Sequence, residues 1–368
     1  MQPYTPADFA RAPLMLYFET TQACDLVCDH CRASAQKEAA PDQLSAEQAA
    51  RLIDQIAAFP RKPTLVFTGG DPLKRPDLFD LIARARSHGL QVALTPSATP
   101  LATHEALAEA KAAGVSRLGI SLDGPDALTH DGFRGWCGSF ERTLEMLGSA
   151  ARLGLPVQVN TTICRRNFER IDDIAELLSD KRIAMWAAFF LVPVGRGLQL
   201  ERLTAEECEV AFEKLWRHAQ RQPYAVKTTE APHYRRYVLK AGGHPHAAKP
   251  ARGDADAARR GHRAPLGVTD GKGVMFVGHN GEIYPAGFLP LKCGAAPEDN
   301  IVDVYQKHPT FLALRDPDRL KGICGRCEYR RVCGGSRARA YAVTGDPLAA
   351  EPDCAYRPRP EAEVMAEH

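Results

Sequence analysis

Six apolar, strand-like runs alternate with helix-like stretches between residues 14 and 192, and this alternation limits the possible folds most strongly. The first helical pattern opens with Ser45 and Gln48, in the spacing of a capping box, and Ser139 offers an N-cap serine for the helix candidate over 139–153. Strand–helix repetition with short connections predicts a parallel sheet with right-handed crossovers. Six repeats are too few for an eightfold barrel, so we expect an α/β fold built as an open, curved partial barrel. The strand candidates are 14–20, 64–68, 91–95, 117–122, 156–163 and 186–192; the helix candidates are about 44–58, 76–88, 101–113, 139–153 and 168–179.

Three cysteines, Cys24, Cys28 and Cys31, follow the first strand candidate with the spacing C-x3-C-x2-C. Open parallel sheets bind ligands at the carboxyl ends of their strands, which is where this segment falls. Three thiolates on one loop can hold three irons of a [4Fe–4S] cluster and leave the fourth iron open to a small molecule. From the residues alone a partial zinc site is the alternative, although zinc ribbons prefer paired C-x2-C knuckles.

A second group of cysteines lies near the C-terminus. Cys324, Cys327 and Cys333 are spaced C-x2-C-x5-C, and Cys354 follows in EPDC. Four thiolates fill every coordination site of one cubane, giving a closed cluster suited to electron transfer or structure. A zinc site with four cysteine ligands is the alternative, because C-x2-C is a knuckle spacing. Three further cysteines have no partners at ligand spacing and are expected in the apolar core: Cys137, Cys164 and Cys208.

Length and charge set further bounds. The chain has 368 residues, enough for one large α/β domain and a smaller appendage. Its 47 Lys+Arg and 45 Asp+Glu nearly cancel, which gives no support for a nucleic-acid or membrane partner. No apolar stretch approaches the roughly 20 residues of a membrane helix, and the N-terminal residues lack a signal-peptide pattern. Eleven cysteines without a signal favour metal ligation in a reducing, cytoplasmic compartment.

The remaining segments suggest a division into three parts. Residues 203–240 read as helical, and residues 241–265 lack hydrophobic periodicity, which predicts a mobile loop or linker whose histidines are solvated. The strings GVMFV, HNG and EIYPAGF predict a β-hairpin. We therefore expect a core over 1–200, a helical linker and mobile loop over 201–265, and a C-terminal cluster domain over 266–368.

The spacing C-x3-C-x2-C, together with TGGDP (68–72), SLDGP (121–125) and LVPVGRG (191–197), resembles the radical S-adenosylmethionine (SAM) enzymes. The resemblance implies a (β/α)6 partial barrel and an open cluster that chelates SAM. It implies reductive cleavage of SAM to methionine and a 5′-deoxyadenosyl radical, which abstracts hydrogen from a C–H bond. It also implies SAM contacts by eight residues, none with an assigned catalytic role: His30, Gly69, Gly70, Asp71, Ser121, Asp123, Asn160 and Val192.

Plain structural readings compete at several of these positions. A Gly-Gly pair lets the backbone approach a ligand closely, but it also suits a simple turn at the end of a strand. Asp123 before Gly124 is also typical of a turn.

The string SLDGP…HD…RG…GSF and the C-terminal cysteines resemble the SPASM branch of this family over about residues 13–356. That branch includes the synthases of heme d1 and anaerobic heme and the maturases of quinone-cofactor peptides. Complete SPASM domains carry two auxiliary clusters, but here Ala286 and Arg337 stand where the motif expects cysteines. We therefore expect one auxiliary [4Fe–4S] cluster, Cys293 left alone, and an external electron donor such as flavodoxin or ferredoxin.

Three hypotheses follow for the function. The strings ACDLVCDHCRASA and CGGSRARAYAVTGDPLAAEPDC look like the heme-related members, which favours a small organic substrate such as a tetrapyrrole. The short segment ahead of the cysteines, with no room for a peptide-recognition domain, supports the same reading. Modification of a ribosomal peptide, with recognition supplied by a separate protein, is the second hypothesis. A non-catalytic zinc-binding scaffold is the third.

Overall fold

The computed structural model describes residues 4–245 and 266–358. The strands of this part of the chain form one sheet, whose spatial order is β10-β9-β8-β1-β2-β3-β4-β5-β6-β7. From β8 to β7 every neighbouring pair is parallel, whereas β9 and β10 are antiparallel. The strands are β1 (Met15–Glu19), β2 (Thr64–Thr68), β3 (Gln91–Leu94), β4 (Arg117–Ser121), β5 (Val157–Ile163), β6 (Met185–Phe190), β7 (Ala225–Thr229), β8 (Val274–Val277), β9 (Glu282–Tyr284) and β10 (Gly294–Ala295).

Helices connect the parallel strands and follow the sheet. They are α1 (Ala46–Ala57), α2 (Leu78–Ser87), α3 (His104–Ala113), α4 (Ala127–Arg134), α5 (Ser139–Leu153), α6 (Ile171–Ser179), α7 (Ala205–Arg221), α8 (His233–Lys240), α9 (Ile301–Lys307), α10 (Pro309–Arg315), α11 (Gly322–Gly325) and α12 (Arg337–Thr344). The six expected strands and five expected helices are all present, so the α/β partial-barrel prediction is confirmed. Ser45 and Gln48 form the expected capping box at α1.

Three local predictions differ from the structure. Residues 225–229 form β7 because pairing with β6 supplies their backbone partners, so the fully helical reading of 203–240 is wrong. Helix α4 was not predicted. Gly138, not Ser139, caps α5, because Asp131 accepts the amide hydrogens of Gly138 and Phe140 at 2.7 Å each.

The predicted hairpin is confirmed as β8 and β9, in which Phe276 pairs with Tyr284. Strand β8 also pairs in parallel with β1 and so extends the same sheet. The division of the chain at residues 200 and 265 stays a prediction. The expected mobile loop falls outside the described residues, except for 241–245.

The sheet has two chemically different faces. Alternate strand residues such as Leu16, Phe18, Leu118 and Ile120 are buried in the main hydrophobic core. Because successive strand residues point to opposite sides, the residues between them lie on the other side, which we call the inner face. Polar side chains are frequent there: Tyr17, Arg117, Ser121, Gln158, Asn160, Thr162 and Lys227.

Two buried arginines of α12 hold the chain segment before Cys354. Arg337 Nη1 donates to the carbonyl oxygens of Pro347 at 2.9 Å and Ala349 at 2.6 Å. Arg339 Nε lies 2.9 Å from both Glu351 Oε1 and Asp353 Oδ2. Burial raises the pKa of Glu351, but the charge of Arg339 outweighs it and brings that pKa down to about 2. This ion-pair network joins the last cysteine to the rest of the fold.

We expect Arg339→Met to lower the free energy of unfolding by about 3–5 kcal/mol, because buried Glu351 loses its counter-ion and Asp353 keeps only Arg202. Denaturant unfolding followed by circular dichroism measures the change. The matched control is Arg51→Met, on the exposed face of α1, which should stay within about 0.5 kcal/mol of the parent. A loss at position 339 no larger than that of the control would show that the network contributes little.

Candidate active site

The loop between β1 and α1 brings Cys24, Cys28 and Cys31 together. The three thiols pack in one small cluster with Leu26 and Ala35. Backbone hydrogen bonds shape the loop: the amides of Leu26 and Ala35 lie 3.4 Å from the sulfurs of Cys24 and Cys31. The predicted ligand triplet is therefore one spatial group at the carboxyl end of β1.

The environment of these thiols is apolar. Burial raises the pKa of Cys24 to about 11, and it also raises the pKa of Cys28. A buried thiolate needs a positive partner, which iron supplies. Three sulfur donors on one loop, all soft ligands, fit three corners of an iron–sulfur cubane.

Within residues 4–245 and 266–358, no three His, Cys, Asp or Glu side chains are placed to hold a single metal ion. A cubane differs from a single ion because each thiolate binds a different iron.

The glycines after β2 pack against the cysteine loop itself. A Cβ atom on Gly69 would lie 2.6 Å from the Thr21 carbonyl oxygen, and one on Gly70 would lie 2.4 Å from the Ala23 carbonyl oxygen. The amides of Gly70 and Asp71 donate to these same two oxygens at 2.8 Å and 2.6 Å. The Gly-Gly pair thus permits backbone contact between two strand-end loops, and its contact with SAM stays a prediction.

Asp71 is fully buried and organises the next loop. Its carboxylate accepts hydrogen bonds from the Thr99 hydroxyl at 2.7 Å and the Ser97 amide at 3.3 Å. Burial raises the pKa of Asp71 despite these bonds. The Ser97 hydroxyl lies 3.7 Å from the sulfur of Cys24, so Asp71 positions a polar group beside the first thiol.

Asp123 is also buried, at the end of β4, and its carboxylate is bound by the protein. The Thr162 amide donates to Oδ1 at 2.7 Å, and Arg134 Nη2 lies 2.5 Å from Oδ2. Burial raises the pKa of Asp123, but Arg134 reverses this effect and leaves it below its usual value. The predicted SAM contact of Asp123 is untested, and the structure gives the carboxylate a partner that the sequence reading had not identified.

Arg134 links this ion pair to the cysteines. Its Nη1 atom lies 3.7 Å from the sulfur of Cys28, while Nη2 binds Asp123. Arg134 belongs to the string HDGFRGW, and nothing in the local sequence indicated that it would contact Cys28. The guanidinium therefore supplies positive charge next to one of the three thiols.

His30 lies just before the last cysteine, and its ring stands 4.8 Å from the ring of Phe133. Burial lowers its pKa to about 4, so the ring is neutral at pH 7. Among the described residues its Nδ1 atom has no hydrogen-bond partner. A neutral, aromatic side chain with a free polar atom is suited to contact a planar heterocycle such as adenine.

Ser121 and Asn160 are paired neighbours at the carboxyl ends of β4 and β5. Both are half-buried on the inner face. The amide oxygen of Asn160 accepts a hydrogen bond from Gln158 at 2.7 Å. They lie at the carboxyl ends of their strands, the same edge of the sheet from which the cysteine loop extends, and their SAM contacts remain predictions.

The loop after β6, which contains the LVPVGRG string, also reaches the cysteines, through Gly195 and Arg196, for which the sequence had indicated no individual role. Arg196 Nε donates to the Cys28 carbonyl oxygen at 2.8 Å, and the Arg196 amide donates to that of Cys31 at 3.0 Å. Gly195 has φ +55°, and a Cβ there would lie 2.5 Å from the Cys31 carbonyl oxygen. Val192, by contrast, is buried against Ala286 and other apolar residues of the C-terminal part.

Glu19, at the end of β1, ties the cysteine loop to the hairpin. Arg32 Nη2 lies 2.5 Å from Glu19 Oε1, and His279 Nδ1 lies 3.1 Å from Oε2. Burial raises the pKa of Glu19, but Arg32 outweighs this effect and the pKa falls to about 2. The residue after Cys31 is thus anchored to the sheet.

The four C-terminal cysteines line a single pocket together with His233, Arg236 and Glu351. Burial raises the pKa of the Cys327 thiol to about 11 and that of Cys333 to about 12. The donor set is again sulfur-rich, and it fits a closed cubane. The lining residues are His233, Arg236, Ile323, Cys324, Cys327, Tyr329, Arg330, Cys333, Gly334, Glu351, Cys354, Tyr356 and Pro358.

The remaining cysteines are separate from both groups. Cys164 and Cys208 are buried in apolar surroundings, as predicted. The core prediction for Cys137 is wrong, because this side chain is exposed in the turn before α5. Cys293 is buried, and its thiol lies 3.3 Å from the Leu291 carbonyl oxygen.

Comparison with known proteins agrees with this geometry. The model of the Radical SAM superfamily matches residues 18–178. The AdoMet-dependent heme synthase of Methanosarcina barkeri is 38% identical over 348 residues, which cover 94% of this chain and 97% of the relative. The pre-heme d1 synthase of Dinoroseobacter shibae is 30% identical over 375 residues, covering 95% of this chain and 88% of the relative.

A solved structure shares the fold. The Streptococcus suis protein SuiB, determined with S-adenosylmethionine bound, superposes with a TM-score of 0.69 at 17% identity, covering 94% of this chain and 78% of SuiB.

The chain belongs to the radical SAM superfamily. It is therefore an enzyme of that class, and membership implies a [4Fe–4S] cluster and SAM as its cofactors. The C-terminal extension is consistent with the SPASM branch.

We expect Gly70→Ala to reduce the iron held by the first cysteine group several-fold, because the new Cβ would lie 2.4 Å from the Ala23 carbonyl oxygen and displace the loop. Iron and sulfide are counted after anaerobic reconstitution, and electron paramagnetic resonance reports the reduced cluster with and without SAM. The control is Gly148→Ala in α5, where the Cβ has ordinary van der Waals space. Full iron content and an unchanged SAM-dependent spectrum for Gly70→Ala would contradict the role of this contact.

Proposed function

We propose that this chain is a radical SAM oxidoreductase whose substrate is a small organic molecule, a tetrapyrrole. The enzyme would abstract hydrogen from a side chain of that tetrapyrrole. One observation carries the proposal: three AdoMet-dependent heme synthases are each 38% identical to the chain over at least 94% of its length. Relatives named for peptide modification, such as a PqqA peptide cyclase, are 27% identical over a similar span.

Each cysteine group has a proposed role. Cys24, Cys28 and Cys31 would hold the SAM-binding cluster, and the four C-terminal cysteines would hold one auxiliary [4Fe–4S] cluster. A cluster of the first kind, when bound, supplies the electron that cleaves SAM reductively. The external donor is proposed to be a flavodoxin or ferredoxin, and the compartment a reducing cytoplasm.

The protein groups around the first cysteines have separate tasks. The loops that carry Gly70 and Arg196 hold the cysteine backbone, which keeps the three thiols in one group. Arg134 places a positive charge 3.7 Å from Cys28, which offsets the negative charge of a thiolate. His30 offers a neutral ring to the adenine of SAM, and Ser121 and Asn160 offer polar groups at the inner face of the sheet.

A peptide substrate is the second candidate. It is supported by the peptide-cyclase and maturase relatives. The chain also shares its fold with SuiB, one structure of which contains a precursor peptide. Since the structural likeness is at 16% identity, it supports the fold and not the substrate.

We expect the triple variant Cys24→Ala, Cys28→Ala, Cys31→Ala to retain about four irons per chain against about eight in the parent. Formation of 5′-deoxyadenosine from SAM under dithionite should fall to background. The control is Cys137→Ala, which alters an exposed cysteine outside both groups. Roughly eight irons in the triple variant would show a rebuilt site that uses Cys293, whereas uptake of zinc without iron or sulfide by the parent would favour the scaffold hypothesis.

The substrate class is tested by binding. Anaerobic ultraviolet–visible titration of the reconstituted protein with coproporphyrin III should shift the Soret band in a saturable manner. A pull-down with a small leader peptide of the PqqA type should recover no protein above background. Peptide capture without any porphyrin binding would reverse the choice between the two candidates.

A further inference from the structure

Two cations on the inner face of the sheet come from strands that lie far apart in sequence. Arg117 begins β4, where Leu118 and Ile120 face the core. Lys227 is the middle residue of β7, where its neighbour Val226 packs against the core. By the alternation of a strand both cations therefore point to the inner face. Their partners across the sheet, Ala93 and Ala187, have small side chains.

These two cations lack counter-ions. Across residues 4–245 and 266–358, the side chain of neither Arg117 nor Lys227 makes an ion pair or a hydrogen bond. Two other partly buried arginines of the described residues do have counter-ions: Arg32 is paired with Glu19, and Arg134 with Asp123. Partly buried cations without an anion are costly, so their presence needs a reason.

The surrounding charges increase the positive potential. Burial, together with the positive charges of Arg117 and Arg235, lowers the pKa of Lys227 to about 8. Arg235 lies on α8, where its guanidinium donates to the carbonyl oxygens of Val268 and Val332 and so adds a cation without a carboxylate. The ammonium group of Lys227 remains predominantly charged at pH 7. Three positive groups thus act on one region of the inner face.

The chemistry of this region suits carboxylates. A guanidinium binds a carboxylate through two parallel hydrogen bonds, and an ammonium adds a point charge. Arg117 and Ser121 are four residues apart on β4, or about 13 Å at the rise of a strand. Lys227 lies in the same row across the sheet as Ser121 and Asn160, because Asn160 pairs with Ala187 and Ala187 pairs with Lys227. A ligand that contacts both cations must therefore extend from the row of Ser121 toward the amino end of β4, so it must be long or broad.

We propose that Arg117 and Lys227 form a binding subsite for carboxylate groups of the substrate on the inner face of the sheet. The inference rests on the proposed function, since it takes the substrate to be a tetrapyrrole bearing several carboxylates. Arg117 and Lys227 would bind the carboxylates on one edge of the tetrapyrrole while another edge faces the SAM site. Both residues act in binding and orientation and have no part in the chemical step.

The experiment compares two probes that differ in charge alone. Coproporphyrin III carries four carboxylates, and its tetraamide replaces each of them with an uncharged group of similar size. Affinities are measured by Soret titration of the reconstituted protein for the parent, Arg117→Met and Lys227→Met. We expect each variant to bind coproporphyrin III about tenfold more weakly, the loss typical of one charge-assisted hydrogen bond, with less than about threefold change for the tetraamide.

Two controls separate charge from folding. Lys227→Arg keeps the positive charge and should retain affinity within about threefold, whereas Arg51→Met removes an exposed cation elsewhere and should have no effect. Circular dichroism and melting temperature identify a variant that fails to fold, in which case Lys227→Gln replaces Lys227→Met.

Each outcome decides the proposal. If the parent binds coproporphyrin III and the tetraamide equally well, or if the methionine variants match the parent, the subsite is refuted while the tetrapyrrole function stands. If the parent binds neither probe, the tetrapyrrole function itself fails, and the subsite fails with it.

Discussion

Contact between the cysteine loop and the two loops that follow β2 and β6 is the constraint on which the rest of this structure depends. The amides of Gly70 and Asp71 donate to carbonyl oxygens ahead of Cys24, and Arg196 donates to those of Cys28 and Cys31. These contacts need very short separations, which explains a residue without Cβ at position 70. A loop held from two sides keeps three thiols together without help from regular secondary structure.

Positively charged arginines lie near both cysteine groups. The first lies beside the Asp123–Arg134 ion pair, so a buried positive charge stands 3.7 Å from Cys28. The second lies beside Arg235 and Arg236 and is enclosed by the loop that Arg337 and Arg339 hold. In both places burial disfavours a bare thiolate, and arginines reduce the cost of the negative charge that ligation brings.

Much of the fold and the cysteine chemistry was predictable from local pattern. The six strands between residues 14 and 192 and the hairpin after residue 274 follow from runs of apolar residues and turn signals. Strand β7 was not predicted because AVKTT is short and has no run of apolar residues. Its alternate polar residues Lys227 and Thr229 look like solvent-exposed positions in the sequence. The cap at Ser139 was predicted wrongly because the hydrogen bond from the Gly138 amide to Asp131 moves the start of α5. The burial of Cys137 was predicted wrongly because this residue lies in the exposed turn before α5.

The sequence by itself determined the chemistry of this protein: the cysteine spacings specify which ligands are available, and the alternation of strands and helices places the first group at the carboxyl end of a sheet. Only the tertiary structure decided what surrounds those ligands. Arg134 and Arg196 contact the cysteine loop although they are separated from Cys28 by 106 and 168 residues along the chain. The spacing of cysteines along the chain identifies the metal ligands. The charges and contacts around those ligands depend on distances in space, and the pairing of the strands sets these distances.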